Sequence, residues 1–317
     1  MHTCVTGVTD FIGRALARRL LRSGLSVRAP VESLEHADDL RAMGIELVRA
    51  NLADRESVEK ALNGSDVVYH MTETNLGETQ NILDACIRRG VPHVVHLSSI
   101  AVYGLARKGE HIDENAPYDP HSYERDPHTR SKIEADEYAA AIGSKTKLAV
   151  TIIRPGTVYG HGRPLPLGPL GFRAGKTNVV IGGRRQHYPL TYVENLADAM
   201  ASVSIGQGLR KFIVIDDEDL TLGQYHTVRE EVERTPTLFL PGLPLLLAAI
   251  SFEIMMWLAP LGFGAGNKWR RIRLQLADRR FDARRIRETG WAPQVSLKDA
   301  LRLTLHYPPA EHLPVPY

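Results

Sequence analysis

The stretch from Thr3 to Gly24 places a β-rich run, a glycine and a helical pattern in immediate succession. Thr3–Thr6 has strand propensity, Gly7 permits a tight turn, and apolar residues then recur at three- and four-residue spacing until Gly24. Because unpaired N–H groups and the helix dipole point to the same spot at such a helix N-terminus, phosphate binds there. The stretch therefore predicts a βαβ unit with a phosphate site at its first turn.

The glycines of this turn follow the dinucleotide-binding fingerprint at two of its three positions. In that fingerprint the first glycine permits the turn, the second lets backbone approach a pyrophosphate, and the third lets helix pack on strand. The corresponding residues are Gly7, Asp10 and Gly13, so an acid replaces the middle glycine. A carboxylate there repels a pyrophosphate unless it turns away to cap the helix, and we expect Asp10 to do so. The alternative is a βαβ unit whose first turn binds nothing.

Strand and helix patterns alternate through the rest of the N-terminal half. This alternation predicts an α/β fold of the Rossmann type, with a doubly wound parallel sheet. Ligands of such sheets bind at the carboxyl ends of the strands. The last strand is expected at Phe212–Ile215, which assigns residues 1–163 and 188–216 to the sheet domain. Residues 164–187 and 217–317 are then expected to form a smaller substrate-binding domain.

Composition and charge narrow the classes of function. With 43% apolar and 24% charged residues, the chain is typical of a soluble globular protein. Its formal net charge of +2 gives no electrostatic reason to expect a nucleic-acid partner. The two cysteines, Cys4 and Cys86, suit a reducing cytoplasm, and the N-terminus shows no signal-peptide pattern. We therefore expect a cytoplasmic protein that does not bind nucleic acid.

Five segments occur in a recognisable order, namely HLSSIAVYG (96–104), RSKIEADEYA (130–139), IIRPGTVYGHG (152–162), PLTYVENLADA (189–199) and GWAPQVSLKDAL (290–301). Together they resemble the NAD-dependent epimerase/dehydratase family, the extended short-chain dehydrogenases, over nearly the whole chain. Within it, the SVRAPV run and the apolar segment near residue 245 are most similar to the dihydroflavonol-reductase and 3β-hydroxysteroid-dehydrogenase-like branch. The resemblance predicts fold more firmly than activity, because one fold hosts many functions.

The resemblance implies a catalytic set of Ser or Thr, Tyr and Lys. In that family the Tyr hydroxyl exchanges a proton with the substrate oxygen, the Ser polarises that oxygen, and the Lys holds the nicotinamide ribose. Ser99 matches the Ser and Lys132 the Lys, whereas His128 stands at the Tyr position. His128 either replaces the phenol as an acid, since imidazole titrates near neutral pH, or begins a helix without a catalytic part. Of the nearby phenols, Tyr123 has the wrong spacing and Tyr103 is typical of a packing residue.

The resemblance also implies a nicotinamide dinucleotide, NAD(H) or NADP(H), as the cofactor, and no metal. The expected cofactor-binding residues are Gly7, Thr9, Asp10, Phe11, Ile12, Gly13, Arg28, Glu32, Asn51, Leu52, Met71, Lys132, Pro155 and Val158. Arg28 matches an arginine that meets the 2′-phosphate of NADP in dihydroflavonol reductases, whereas Glu32 is placed to hold a ribose hydroxyl, as in NAD enzymes. These two signals oppose each other, so the choice between NAD and NADP stays open.

Two further cofactor positions depart from the family pattern. Asn51 stands where an acid usually meets the adenine, and an amide can still hydrogen-bond an adenine edge. The loop after Met71, which normally lines the nicotinamide, reaches Asn75 after few residues and places Glu73 or solvent where an apolar wall belongs. Added to the replaced glycine and tyrosine, these departures are not typical of a standard dehydrogenase.

The apolar run 238–263 is interrupted by prolines and a glutamate. Its uninterrupted core, Leu245–Ser251, is far shorter than the roughly 20 residues that a bilayer requires, so we expect no transmembrane span. We expect either a buried or lid helix over an apolar substrate, or an interfacial helix in peripheral contact with a membrane. A small lipophilic substrate is the expected partner, and a homodimer is a further candidate assembly.

The sequence thus favours an NAD(P)-dependent oxidoreductase, a ketoreductase or dehydrogenase, that acts on the carbonyl or hydroxyl group of a lipophilic substrate. In this hypothesis Ser99 polarises the oxygen, Lys132 holds the ribose, and His128 or water supplies the proton. Two alternatives stay open: a non-catalytic ligand sensor, and an isomerase, cyclase or lyase that uses the same pocket. Nucleotide-sugar epimerisation ranks lower, because the apolar run suits a lipophilic ligand.

Overall fold

The computed structural model describes residues 1–35, 37–71, 76–105, 110–203, 206–258 and 268–306. Within these ranges the strands, in chain order, are β1 (His2–Thr6), β2 (Ser26–Val31), β3 (Glu46–Arg49), β4 (Val67–His70), β5 (His93–Leu97), β6 (His111–Ile112), β7 (Ala149–Pro155), β8 (Thr157–Tyr159), β9 (Gly171–Ala174), β10 (Thr177–Ile181), β11 (Leu190–Tyr192), β12 (Leu209–Val214), β13 (Thr237–Leu240) and β14 (Arg280–Phe281).

Helices separate many of these strands. In chain order they are α1 (Phe11–Arg22), α2 (Asp38–Ala42), α3 (Arg55–Leu62), α4 (Leu76–Arg89), α5 (Pro127–Lys145), α6 (Val193–Ser202), α7 (Leu222–Glu233), α8 (Gly242–Leu258), α9 (Lys268–Leu276), α10 (Arg284–Arg287) and α11 (Leu297–His306). Two short 3-10 helices, Ile100–Val102 and Ser122–Glu124, follow β5 and precede α5 respectively.

The largest sheet has seven parallel strands in the spatial order β3-β2-β1-β4-β5-β7-β12. The chain moves outward from β1 in one direction and from β4 in the other, so the strand order reverses between these two. Thr6 pairs with His70 across this boundary, and Gly7 and Met71 therefore leave the sheet side by side. The predicted doubly wound Rossmann-type sheet is confirmed, and its ligand crevice is expected at this reversal.

Both faces of the sheet are covered, which explains the continuous apolar sequences of its central strands. Because successive side chains of a strand point to opposite faces, Val5, Tyr69 and Val95 belong to one core cluster, whereas Cys4 and Val68 belong to another. The first cluster includes the buried faces of α1 and α6, and the second those of α3, α4 and α5. The sheet is therefore held rigidly from both sides.

The remaining strands form smaller sheets, namely β13-β10-β9 and the pairs β11-β8 and β14-β6. The first core cluster continues from the large sheet into this region, where it includes Leu222, Phe281 and Trp291. Large sheet and C-terminal elements thus share one core. The domain boundaries expected from the sequence stay a prediction.

The apolar run 238–263 forms β13 and α8, and its last residues, 259–263, lie outside the described part of the chain. Leu243 and Leu247, on the first turns of α8, are 64% and 55% exposed. The expectation of a buried helix is therefore wrong for these turns. In the described ranges, no helix combines the length and apolar character needed to cross a membrane.

Candidate active site

The glycine turn between β1 and α1 has the geometry that the fingerprint requires. Gly7 adopts a φ of 66°, in the left-handed region that favours glycine. Gly13 lies so close to the turn that a Cβ there would be 2.1 Å from the carbonyl oxygen of Gly7. The first intrahelical hydrogen bond of α1 runs from Arg14 N–H to the carbonyl of Asp10, and the Asp10 N–H donates to the carbonyl of Gly7. The N–H groups of Phe11, Ile12 and Gly13 therefore remain available to a ligand.

Asp10 occupies the N-cap of α1, but its side chain does not cap the helix. The backbone of Asp10 is extended, and its carboxylate accepts no hydrogen bond from the first turn. The residue is exposed at the position of the missing middle glycine. The expected capping role is therefore wrong. Asp10 occupies the N-cap position through its extended backbone, and its negative charge remains beside the phosphate site.

Arg163 places a cation next to this turn. Its guanidinium carbon lies 4.8 Å from the ring centroid of Phe11, the first residue of α1. No carboxylate of the described residues forms an ion pair with Arg163, so its charge is available to offset that of Asp10. Sequence analysis missed this residue, because only the fold brings it to α1.

A cavity of about 450 Å³ lies at the carboxyl ends of β2 and β3. Glu32 and Asn51, both expected from the sequence, line it together with Arg49 and Ser57. Asn51 Oδ1 accepts the N–H of Ala53 at 2.9 Å, so its amide nitrogen remains to donate to a base. Arg49, the last residue of β3, is a cation that sequence analysis missed, although its place at a strand end is a usable signal.

Arg28 does not reach this cavity. Its guanidinium donates to the carbonyl of Asn63 at 2.7 Å and pairs with Glu46 at 3.1 Å. Asn63 follows the last turn of α3 and Glu46 begins β3, so both partners lie toward the amino-terminal edge of the sheet. The expected contact of Arg28 with a 2′-phosphate is therefore wrong, because the residue lies in the middle of β2 and not at its carboxyl end.

The carboxyl end of β4 is fixed by buried hydrogen bonds. Thr6 Oγ1 accepts the N–H of Met71 at 3.1 Å and lies 3.2 Å from His70 Nδ1, while His70 Nε2 lies 3.0 Å from Thr79 Oγ1. Burial, reinforced by His96 and by the charge of Lys132, lowers the pKa of His70 well below its usual range, so this histidine is neutral. The expected loop truncation and Glu73 fall in residues 72–75, which lie outside the described ranges.

Ser99 follows β5 and begins the 3-10 helix Ile100–Val102. Its Oγ accepts the N–H of Ala101 at 3.1 Å, which orients the hydroxyl and leaves its proton to donate. The side chain lines a cavity of about 250 Å³, here named the Ser99 cavity. A hydroxyl donor held in this way is suited to polarise a substrate oxygen.

Helix α5 carries the other two expected catalytic residues. Asp126 caps it by accepting the N–H of Thr129 at 2.9 Å, so the helix has begun before His128. His128 and Lys132 therefore lie on one face, four residues apart. Lys132 is half-buried, whereas His128 is exposed and is not among the residues that line the Ser99 cavity. The role of His128 as an acid stays a prediction.

A buried ion pair ties α5 to the sheet. Arg154, on β7, donates from Nε and Nη2 to Asp136 of α5 at 2.9 and 2.6 Å. Arg154 also donates to the hydroxyl of Tyr103, and Tyr118 donates its hydroxyl to Asp136 at 2.7 Å. Burial alone would raise the pKa of Asp136, but the hydrogen bonds and charge of Arg154 hold it below its usual range. Tyr103 is thus a structural residue, as expected, and the fully buried pair fixes the segments that carry Ser99 and Lys132.

The Ser99 cavity combines polar and apolar walls. Its polar side chains include Ser99, Arg125, Asp126, Gln186, His187 and Arg279, and its apolar ones include Ile100, Pro189, Leu274 and Phe281. Leu274 and Gln275 of α9 form part of the cavity wall. The described side chains of α8 do not line the cavity. Of the cofactor residues expected from the sequence, Pro155 ends β7 next to this cavity and Val158 lies in β8.

Residues 3–204 match the NAD dependent epimerase/dehydratase family, so the chain belongs to this family, as its motifs indicated. It is 26% identical to the 3beta-hydroxysteroid-dehydrogenase/decarboxylase isoform 2 of Arabidopsis thaliana, over 95% of this chain and 61% of that protein. It is also 26% identical to the 2-alkyl-3-oxoalkanoate reductase of Stenotrophomonas maltophilia, over 95% of this chain and 98% of that one. The chain thus spans less than two thirds of the Arabidopsis relative.

Among solved structures, the UDP-glucose 4-epimerase of Thermus thermophilus in complex with NAD is similar, with a TM-score of 0.69. The two chains are 20% identical, and the similarity covers 97% of this chain and 98% of that one. At this identity the likeness shows the fold.

The described residues fit the dinucleotide that the family name implies. The turn at Gly7 supplies N–H groups for a pyrophosphate, the cavity at Glu32 and Asn51 can receive an adenosine, and Ser99 lines the cavity that follows β5. Lys132 lies near His70, at the carboxyl end of β4. At the described glycine turn, the negative charge of Asp10 opposes such a ligand. Its effect on binding is therefore the most informative test of the site.

Replacing Asp10 by glycine should tighten NADH binding by about tenfold, because it removes a negative charge from the pyrophosphate site. The dissociation constant is measured by fluorescence titration. Asp299→Gly, which removes an acid from the first turn of α11, is the matched control and should leave binding unchanged. Unchanged or weaker binding by the Asp10 variant would show that the carboxylate does not face the ligand.

Replacing Asp136 by asparagine should lower the free energy of unfolding by about 3–5 kcal/mol, because Arg154 is then buried without a counter-charge. Urea denaturation followed by circular dichroism measures this loss. Glu56→Gln is the control, since Glu56 forms an exposed pair with Lys60 at 3.9 Å and should contribute less than about 1 kcal/mol. An equal loss of unfolding free energy in the two variants would contradict the larger stabilisation expected from the buried Arg154–Asp136 pair.

Proposed function

We propose that this protein is an NAD(P)-dependent oxidoreductase that interconverts a carbonyl and a hydroxyl group on a small, largely lipophilic substrate. The observation that carries the proposal is the Ser99 hydroxyl, oriented by Ala101 and facing a cavity at the carboxyl edge of the sheet. Family membership supports a nicotinamide cofactor, and the names of two relatives, a hydroxysteroid dehydrogenase and an oxoalkanoate reductase, support the substrate class.

In this proposal the nicotinamide, when bound, supplies or accepts the hydride. Ser99 donates its proton in a hydrogen bond to the substrate oxygen and stabilises the charge that develops there. Lys132 binds the nicotinamide ribose, and its half-buried position on the rigid helix α5 fixes the ribose relative to Ser99. The proton that the oxygen gains comes from His128 or from water, because no tyrosine stands at the family position.

The crevice favours NAD over NADP in this proposal. Glu32 directly follows β2, where its carboxylate can accept a hydrogen bond from a ribose hydroxyl and repel a 2′-phosphate. Arg28, the residue that suggested NADP, is bound to Asn63 and Glu46. Arg49 is a cation in the same cavity, but the carboxylate of Glu32, which also lines this cavity, partly neutralises its charge.

A second candidate function is a ligand sensor that binds the dinucleotide without turnover. Two observations favour it: the exposed carboxylate of Asp10 at the phosphate site, and the absence of His128 from the described lining of the Ser99 cavity. Such a sensor binds NADH without oxidising it. Binding and turnover measured on the same preparation therefore separate the two functions.

The wild-type protein should oxidise NADH in the presence of apolar ketones, and Ser99→Ala should lower kcat by at least about 100-fold, because it removes the donor to the reacting oxygen. The dissociation constant of NADH should stay the same. Ser144→Ala, an exposed serine on the same helix as Lys132, is the control. Tight NADH binding without turnover would support the sensor, and an unaffected Ser99→Ala would refute the assigned role.

The wild-type protein should prefer NADH to NADPH, and Glu32→Gln should reduce this preference by about tenfold, because the repulsion of the 2′-phosphate is lost. The ratio of dissociation constants measures the preference. Arg28→Gln is the control and should leave the ratio unchanged. A loss of NADPH binding in Arg28→Gln would restore the 2′-phosphate contact as the role of this residue.

A further inference from the structure

Arg279 is a guanidinium of the Ser99 cavity without an ion-pair partner among the described residues. It stacks on the ring of Phe281, with 5.5 Å from the guanidinium carbon to the ring centroid. One hydrogen bond, from Nη1 to the carbonyl of Tyr103 at 3.4 Å, is its described polar contact. Because arginine has five N–H donors, most of them remain for a ligand in the cavity.

Arg125 adds a second guanidinium to the same wall. Its Nη1 pairs with Asp119 Oδ2 at 2.8 Å, and Asp119 Oδ1 accepts the N–H of His121 at 3.0 Å. The carboxylate of Asp119 is hydrogen-bonded to these two partners, and its charge only partly offsets that of Arg279. Burial and the charge of Arg125 lower the pKa of Arg279 to about 10. Arg279 is only half-buried, and an anion that joins such a cation offsets the cost of its partial desolvation.

We propose that Arg279 and Arg125 form a carboxylate subsite, and that the substrate is a carboxylic acid whose reacting carbonyl or hydroxyl lies a few bonds away. This inference rests on the proposed function and specifies its substrate. The backbone supports the spacing: Tyr103, which binds Arg279, is joined to Ser99 by the 3-10 helix Ile100–Val102, which advances about 2 Å per residue. One small molecule can therefore reach both the hydroxyl and the guanidinium.

The other charges of the cavity leave this subsite to an anion. Asp126 lines the same cavity, but its carboxylate accepts the N–H and the hydroxyl of Thr129 at 2.9 and 2.8 Å and is held toward α5. His187 is bound through Nδ1 to Asp278 at 2.7 Å. Of the two arginines in the described lining, Arg279 is thus the one that forms no ion pair.

The size and walls of the cavity favour a carboxylate over a sugar diphosphate. Its volume of about 250 Å³ is below the roughly 300–1,000 Å³ that is typical of sites for drug-sized ligands. Ile100, Leu274 and Phe281 form apolar walls that suit an alkyl or ring system. A planar guanidinium binds a carboxylate through two parallel hydrogen bonds, which orients the acid as well as binding it. The oxoalkanoate reductase among the relatives is named for a substrate that combines an acid with a ketone.

The test compares 3-hydroxydecanoate with its methyl ester, by calorimetric titration in the presence and absence of NAD. The wild-type protein should bind the acid about 10- to 100-fold more tightly than the ester, because the charged hydrogen bonds need a carboxylate. Arg279→Gln should abolish this preference, and Arg279→Lys should restore part of it. Arg280→Gln, at the adjacent exposed position, is the matched control and should keep the full preference.

Three results would overturn the subsite: equal affinity of the wild-type protein for acid and ester, equal losses in the Arg279 and Arg280 variants, or tighter, Arg279-dependent binding of UDP-glucose. The first comparison needs no variant and therefore decides the matter even if Arg279→Gln does not fold. Acid binding that depends on Arg279 without NAD reduction would refute the oxidoreductase and keep the subsite. Equal NAD reduction with the acid and the ester would refute the subsite and support the oxidoreductase.

Discussion

The buried ion pair between Arg154 and Asp136 is the interaction on which the geometry of the site depends. It joins β7 to α5 inside the core, and the hydroxyl of Tyr103 attaches the segment after β5 to the same guanidinium. Three segments that are far apart in sequence are thereby fixed at one edge of the sheet. Ser99 and Lys132 owe their relative position to this network, because each lies on a segment that it holds. A site built on rigid elements in this way orients a substrate at little entropic cost.

Charge determines what the rest of the crevice can bind. The α1 N-terminus attracts a pyrophosphate through its dipole and free N–H groups, whereas the exposed carboxylate of Asp10 opposes it. Arg163, stacked on Phe11, brings a positive charge to the same place from a distant part of the chain. At the other end of the crevice Arg279 forms no ion pair with a described residue, and this is the charge that the proposed carboxylate substrate would balance. The ligand groups expected at the two ends are therefore both anionic, but the one at the α1 end also meets an opposing carboxylate.

The sequence was sufficient for the fold, because strand and helix periodicities and the glycine turn are local signals. Motif spacing also placed Ser99 and Lys132 at the carboxyl edge of the sheet. Side-chain direction was not predictable: Arg28 was expected in the crevice but points to the opposite edge, and Asp10 was expected to cap α1 but does not. Arg279 gave no signal, because only the tertiary fold brings β14 to the segment after Ser99. Contacts between residues that are distant in sequence cannot be predicted from motif spacing alone.

The central claim is that the crevice between β1 and β4 binds a nicotinamide dinucleotide despite Asp10. A crystal structure of the protein with saturating NADH tests it most directly. We expect the pyrophosphate to accept hydrogen bonds from the N–H groups of Phe11 and Ile12, and Lys132 to contact the nicotinamide ribose. A crevice without nucleotide, filled by the Asp10 side chain, would contradict the account and leave only the fold established.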